Sequence, residues 1–215
     1  MARHQTAGRG RRGRSWLSGQ GDLTASLLLT LDKPPLEAAQ LAFVAALAVS
    51  DLLDAYVSPE LVSLKWPNDA LIEGRKAAGI LIESGPAAHG GLWLAVGIGV
   101  NLSAFPQDVE HPATAIGAHL SPAWAFAPSQ DDAMQRLATA FADRLNVWLT
   151  QGFAPVRAAW AARATGMGRD CQAKLSNETV SGVAEGLDED GALLIRLPDR
   201  ALRRITAGDV FFGMP

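Results

Sequence analysis

One alternating run, GLWLAVGIGVNL from Gly91 to Leu102, restricts the fold more than any other part of the sequence. Alternate residues of a β-strand point to opposite faces of its sheet. One face of this run is large and apolar, with Leu94, Val96, Ile98 and Val100, and the other is small, with Ala95, Gly97, Gly99 and Asn101. A glycine has no side chain that could pack against a neighbour. We therefore expect the small face to lie against a flat ligand or a close backbone, with a tight helix contact as the alternative.

Composition narrows the class of protein. The chain has 215 residues, of which 48% are hydrophobic, enough for one sizeable core and a small second domain. Its net charge of -3 argues against a general binder of polyanions. The single cysteine, Cys171, allows no internal disulfide, and the histidines show no metal-ligand spacing. We therefore expect a cytoplasmic protein that holds no metal ion of its own.

The remaining periodic segments of the first part predict an α/β domain. A strand begins at Asp22, and an alanine- and leucine-rich helix follows Pro35. The apolar part of that helix, from Leu41, is too short to span a bilayer, so no membrane association is expected. VSLKW and AAGILIES are typical of further strands beside the glycine-faced run. A second helix is predicted from a Ser129 cap to Gly152.

The pattern changes near residue 166. From Asp170 onward, short alternating runs are separated by turn signals, which are Ser176-Asn177, Asp190-Gly191 and Pro198-Asp199. This pattern is typical of a small antiparallel barrel or sheet. We therefore predict a catalytic or binding domain at 1–165 and a small β domain at 166–215.

An arginine loop, GRGRRGRS from Gly8 to Ser15, is the strongest candidate for anion binding. Its glycines let backbone amides approach an anion, and its arginines offer bidentate donors. The spacing satisfies that of a P-loop, but Arg14 stands where the lysine belongs and no helix follows. A nucleic-acid-binding tail is the other interpretation. Lys65, at the end of a predicted strand and before Pro67-Asn68-Asp69, is a second candidate for a fixed charge in a cleft.

Four segments together resemble the catalytic domain of biotin protein ligases. They are QTAGRGRRGRSW from Gln5, KWPND from Lys65, KAAGILIE from Lys76 and GIGVN from Gly97. The tail from Val183 to Val210 is similar to the SH3-like domain that ends those enzymes. The resemblance implies a biotinyl/lipoyl ligase-like, class II synthetase-like fold, with a mixed sheet flanked by helices and a small SH3-like β domain. Lipoate ligases share the fold but not these motif sequences.

The resemblance also implies a reaction and its residues. Biotin and ATP, with Mg2+, would give biotinyl-adenylate, and the biotinyl group would pass to a lysine of a biotin carboxyl carrier protein of acetyl-CoA carboxylase or a related carboxylase. By resemblance, the catalytic residues are Arg9, Arg11 and Lys65. Biotin would contact these three together with Gln5, Gly10, Gly79 and Leu81, and the nucleotide would contact Arg14, Trp16 and Asn101. A homodimer is the candidate assembly.

In the family, the motif at Gln5 follows a strand and a helix with a Ser-Thr-Asn segment that contacts the ureido end of biotin. The printed sequence begins at Met1, so we expect an N-terminally incomplete catalytic domain without a DNA-binding winged helix. Two other functions stay open at this point. One is lipoate or octanoate transfer on the same fold, and the other is a nucleic-acid-binding module that uses the arginine loop.

Overall fold

The structure, a computed structural model, describes residues 1–107 and 112–213, and its first part is an α/β domain. In chain order the strands of this part are β1 (Gly8–Arg9), β2 (Ser15–Trp16), β3 (Leu23–Leu31), β4 (Val62–Lys65), β5 (Asp69–Ile72), β6 (Arg75–Pro86) and β7 (Leu92–Val100). The helices are α1 (Pro35–Ala38), α2 (Leu41–Asp54), α3 (Gln130–Gln151) and α4 (Phe153–Ala161).

The main sheet has the strand order β3-β7-β6-β5-β4, and these neighbours all pair antiparallel. Parallel pairing is present as isolated bridges from Leu64 to Ala164 and from Lys76 to Ala113. The glycine-faced run is the second strand, β7, between the two long strands β3 and β6. Its large apolar side chains are buried in the core, as alternation predicts.

Helices cover the core face of the sheet. The predicted helix after Pro35 is confirmed, but it is divided at Ala39 and Gln40 into α1 and α2. The stretch Pro35–Asp54 is apolar and long enough to cross a membrane by composition, yet 72% of it lies inside the protein, as a core helix does. The Ser129 cap is also confirmed: its side chain accepts from the Asp132 amide, and Gly152 ends α3.

A second antiparallel sheet forms the C-terminal part. Its strands are β8 (Asp170–Lys174), β9 (Thr179–Leu187), β10 (Leu193–Arg196), β11 (Leu202–Ile205) and β12 (Asp209–Phe212), in the order β11-β10-β9-β8-β12. The turn between β9 and β10 inserts Gly191 against aromatic rings of the first part. A Cβ on Gly191 would lie 2.6 Å from the Phe43 ring and 3.3 Å from the Phe153 ring. Trp66 Nε1 donates to the Gly191 carbonyl at 3.1 Å.

Candidate active site

A cavity lies on the open face of the sheet, between the arginine loop and the C-terminal strand β12. Its volume is about 680 Å³. All the residues that the sequence resemblance assigned to a site line it: Gln5, Arg9, Gly10, Arg11, Arg14, Trp16, Lys65, Gly79, Leu81 and Asn101. Their individual roles stay predictions, but the fold brings segments from distant parts of the chain to one place.

The arginine loop is a small hairpin. Strands β1 and β2 pair from Gly8 to Trp16, and the chain turns tightly at Arg11–Gly13. Arg12 and Gly13 both have positive φ, at 55° and 74°. A Cβ on Gly8 would lie 2.3 Å from the Trp16 carbonyl oxygen. Glycine at position 8 therefore allows the two short strands to approach each other.

The loop is tied to the C-terminal sheet by charge. Arg14 Nη2 lies 2.7 Å from Asp209 Oδ2, and Arg12 Nη1 lies 3.3 Å from the same oxygen. Arg12 also donates to the Lys174 carbonyl at 3.0 Å. Asp209 thus compensates two arginines of the loop, which would otherwise repel each other.

Arg11 points toward the cavity and joins its walls. Its Nη1 donates to Asn68 Oδ1 at 3.3 Å and to the Gly208 carbonyl at 3.4 Å. Burial lowers the pKa of Arg11, while the charges of Asp209 and Asp69 raise it. Because the partners within hydrogen-bond distance are neutral oxygens, its charge is available to an incoming anion.

Two lysines contribute further positive charge. Burial lowers the pKa of Lys65, which the nearby Asp69 opposes, and its Nζ lies 5.6 Å from the centre of the Phe211 ring. Lys76 Nζ forms an ion pair with Asp69 Oδ1 at 2.6 Å. Lys76 Nζ is also only 3.5 Å from the position of a Cβ on Gly79, so Lys76 lies directly on the cavity floor.

Lys76 was not predicted as a site residue, and the local backbone explains why. Strict alternation along β6 would place Lys76 on the core face with Ala78 and Ile80. The pairing of β5 with β6 shifts register between Ala70 and Leu71, so Lys76 opposes Leu71 while Ala78 opposes Ala70. This β-bulge turns Lys76 to the cavity face. Asn68, Asp69 and Asp209 were also missed, and they too line the cavity.

The small face of β7 lies against a flat side chain, that of Trp16, and not against a backbone or a helix. The Trp16 indole lies so close to Gly99 that a Cβ there would be 2.4 Å from its ring, and a Cβ on Gly79 would be 3.0 Å from it. A Cβ on Gly97 would lie 3.3 Å from the Leu81 carbonyl oxygen. These glycines form a floor on which a flat group can lie.

Asn101 stands at the end of β7, where the chain leaves the sheet. It is 3% exposed, and its Nδ2 donates to the Thr114 carbonyl at 2.9 Å. Asp22, just before β3, holds the following turn: its Oδ1 accepts from the Leu102 amide at 2.9 Å, and its Oδ2 accepts from the Gly19 amide at 2.8 Å. The Asn101 end of the cavity is therefore fixed by buried hydrogen bonds.

Metal binding by the protein alone finds no support in this site. Within residues 1–107 and 112–213, no group of three or more His, Cys, Asp and Glu side chains is placed to hold a metal ion. Two of the cavity carboxylates, Asp69 and Asp209, pair with lysine and arginine instead. A divalent cation would have to bring most of its ligands with it.

Two family models match the chain. The biotin/lipoate A/B protein ligase family matches residues 1–102, and the biotin protein ligase C terminal domain matches residues 166–213. A biotin--[acetyl-CoA-carboxylase] ligase of Paracoccus denitrificans is 41% identical over 99% of this chain and 89% of its own length. The bifunctional ligase/repressor BirA of Bacillus subtilis is 33% identical, and the chain spans 65% of its length.

Solved structures agree with these sequence relatives. Biotin protein ligase from Aquifex aeolicus in complex with biotin and ATP superposes with a TM-score of 0.80 at 26% identity, covering 99% of this chain and 87% of that one. A point mutant of the same ligase in complex with biotin gives a TM-score of 0.79, also at 26% identity, with the same shares covered. The predicted fold class is thereby confirmed: a sheet flanked by helices, followed by a small β domain.

Proposed function

This chain belongs to the biotin protein ligase family, and we propose that the cavity between its arginine loop and β12 is where biotin is activated. The enzyme is an ATP-dependent biotin ligase. A biotin carboxylate oxygen attacks the α-phosphate of ATP, forming biotinyl-adenylate and releasing pyrophosphate. A carrier lysine then attacks the acyl carbon, so that an amide forms, AMP leaves and the amine gives up a proton.

The observation that carries the proposal is the positive charge around a glycine floor. A carboxylate and a phosphate at about 4 Å repel each other by about 4 kcal/mol at an effective dielectric constant near 20. Arg11, Lys65 and Lys76 all line the cavity in which the two anions would meet. Fixed cations in a partly buried cavity stabilise such a pair, and they also stabilise the charge that develops during the transfer.

The roles of individual residues follow from their places. We assign biotin to the floor of Gly79, Gly97 and Gly99, with Leu81 and Gln5 at its sides. Lys76 and Arg11 flank this floor and are suited to the biotin carboxylate and the attacked phosphate. Lys65 stands nearer to Phe211 of the C-terminal sheet, so it is suited to a phosphate farther along the triphosphate chain.

The nucleotide is assigned to Arg14, Trp16 and Asn101. The Trp16 ring lies over Gly79 and Gly99 and would therefore stand between biotin and the nucleotide. Mg2+ enters with ATP, because Mg2+ usually takes most of its ligands from phosphates and water. The inferred domain division, at 1–165 and 166–215, puts Asp209 in the second domain. Closing the arginine loop against that domain would keep water from the adenylate.

The partner and the setting are inferred from the family. The proposed acceptor is a lysine of the biotin carboxyl carrier protein of acetyl-CoA carboxylase or a related carboxylase. The sole cysteine, Cys171, is a buried free thiol, which suits a cytoplasmic enzyme. A homodimer stays a proposal, and sedimentation would test it.

The test is biotin-dependent release of pyrophosphate from ATP. We expect release with biotin and none with lipoate, and transfer of biotin to an added carrier domain. Lys65→Ala and Lys76→Ala should each reduce release, whereas Lys33→Ala should not, because Lys33 precedes α1, pairs with Glu37 and does not line the cavity. If lipoate supports pyrophosphate release and biotin does not, the substrate is lipoate and not biotin. If the Lys65→Ala variant releases pyrophosphate as fast as wild type, Lys65 has no role in the reaction. The role proposed for Lys76 would not be affected by that result.

A further inference from the structure

A buried histidine lies behind the Asn101 end of the cavity and does not line it. His119 follows the short 3-10 helix Ile116–Ala118, and its side chain is 7% exposed. Its Nε2 lies 2.8 Å from Thr114 Oγ1 and 3.4 Å from Arg75 Nη2, and its Nδ1 lies 3.5 Å from Glu73 Oε2. The side chain therefore connects the β5–β6 turn with the segment that carries Thr114.

These partners assign the protons of His119. A guanidinium group can only donate, so Nε2 has to accept from Arg75, and it can then accept from the Thr114 hydroxyl as well. The proton of the neutral ring therefore belongs on Nδ1, where it faces the Glu73 carboxylate. A second proton, on Nε2, would point at the N–H groups of Arg75. The arrangement fits the neutral imidazole and opposes the imidazolium.

Thr114 links this histidine to the active site. Thr114 is fully buried, and its amide donates to the Lys76 carbonyl at 2.9 Å. Its own carbonyl accepts from Asn101 Nδ2, also at 2.9 Å. One residue thus joins the backbone of the cavity lysine to the side chain at the nucleotide end. A displacement of Thr114 would therefore also move the Asn101 amide.

We propose that His119 is a positioning residue for the ATP end of the site, acting through Thr114 on Asn101. The proposal rests on the proposed function, which assigns Asn101 to the nucleotide. With neutral His119, the Thr114 hydroxyl has its acceptor and Asn101 is held in the orientation that meets ATP. Protonation of His119 puts a hydrogen on Nε2, which then faces the Arg75 guanidinium and makes the Thr114 hydroxyl turn from donor to acceptor; the resulting shift of Thr114 weakens ATP binding. The backbone hydrogen bonds of Thr114 lead to Lys76 and Asn101 and not to the glycines of the biotin floor, so biotin binding is unaffected.

The electrostatics around His119 agree with this role. Burial lowers the pKa of His119, Glu73 raises it and Arg75 lowers it. In the part of the chain that the structure describes, Glu73 and Arg75 are the charged groups that shift this pKa. The ring is therefore neutral at neutral pH, and the proposed effect on ATP appears only as the pH falls below the ordinary range of histidine.

Steady-state pyrophosphate release by the full chain tests the proposal. His119→Phe removes both ring nitrogens, and His119→Gln keeps an amide oxygen that can accept from Thr114 and Arg75. The matched control is His89→Gln, because His89 is exposed in the turn between β6 and β7. For each variant, KM is measured for ATP and for biotin at about pH 7.5 and about pH 5, because the lowered pKa of His119 moves its protonation below the ordinary titration of histidine. The unfolding temperature is measured as well.

At about pH 7.5, we expect His119→Phe to raise the KM for ATP about fivefold, as the loss of one ordinary hydrogen bond would. The KM for biotin should stay unchanged, and His119→Gln should restore the KM for ATP. On acidification, the KM for ATP should rise more in wild type and in His89→Gln than in His119→Gln. A KM for ATP that is unchanged in His119→Phe would overturn the proposal. So would an equal rise for both substrates, or pH profiles that are identical in wild type and His119→Gln.

Failure of the proposed function would look different. In that case wild type itself would release no pyrophosphate with biotin, whatever stands at position 119. ATP binding to wild type and to the same variants by calorimetry, in the absence of biotin, then decides the His119 proposal without turnover. Weaker ATP binding in His119→Phe than in wild type supports it, and equal binding contradicts it.

Discussion

Replacing Asp22 should loosen the turn that follows Asn101. The Asp22 carboxylate is 3% exposed and accepts two short backbone hydrogen bonds, from the Leu102 amide at 2.9 Å and the Gly19 amide at 2.8 Å. The amides of Ser103 and Ala104 lie farther away, both at 3.4 Å. In Asp22→Ala, the two well-bonded donors lose their acceptor inside the protein.

The magnitude follows from these two bonds. An unsatisfied buried donor costs about 1 to 3 kcal/mol, so Asp22→Ala should lower the free energy of unfolding by about 3 kcal/mol. For a chain of this size, that corresponds to a melting temperature lower by roughly 6 to 12 °C. Asp22→Asn keeps one acceptor oxygen for Leu102 but turns an amide NH2 toward the Gly19 amide. We expect about half the loss, roughly 1.5 kcal/mol.

Urea unfolding followed by circular dichroism measures both values, with Asp131→Ala as the control. Asp131 is an exposed carboxylate that pairs with an equally exposed Arg3, and such pairs contribute little. The KM for ATP should rise in Asp22→Ala, because Leu102 directly follows Asn101. Equal unfolding free energies for Asp22→Ala and Asp131→Ala would refute the idea that this carboxylate holds the turn.

Two further changes test the loop and the floor. Arg11→Gly should weaken retention of biotinyl-adenylate more than its formation, because Arg11 joins Asn68 to the Gly208 carbonyl across the cavity. Released adenylate would then biotinylate a bystander protein added to the assay. Equal labelling of that protein by wild type and Arg11→Gly would contradict this expectation. Gly99→Ala would place a methyl group 2.4 Å from the Trp16 ring, so biotin binding measured by calorimetry should weaken roughly tenfold. Unchanged affinity would show that Trp16 moves away without consequence.

Much of the fold was predictable because its strongest signals are local. The alternation of β7 places Leu94 and its neighbours in the core, and the Ser129 cap and Gly152 bound α3 where the sequence indicates. These features depend on the backbone geometry of a few adjacent residues. The division of the first helix at Gln40 carried no such signal, since neither glycine nor proline stands there.

Residues of the candidate site could be predicted only where they belong to a sequence motif. Lys76 is turned to the cavity by a bulge, and no alternation rule reveals a bulge before the pairing partner is known. Asp209 meets the arginine loop only after two distant segments have folded together. His119 is a single histidine in a segment without a motif, and its connection to Asn101 exists only in three dimensions.

The insertion of Gly191 among aromatic rings has a mechanical consequence for the arginine loop. A body attached at one point can rotate about it, whereas a body attached at two separated points cannot swing freely. The C-terminal sheet is attached once at Gly191, through Trp66 and the Phe43 ring, and again at Asp209. Because it is attached at both places, the C-terminal sheet holds Asp209 as a fixed counter-charge for the loop. We therefore expect ATP to enter when the loop lifts away from Asp209, which breaks the ion pairs of Arg12 and Arg14 and leaves the attachment at Gly191 in place.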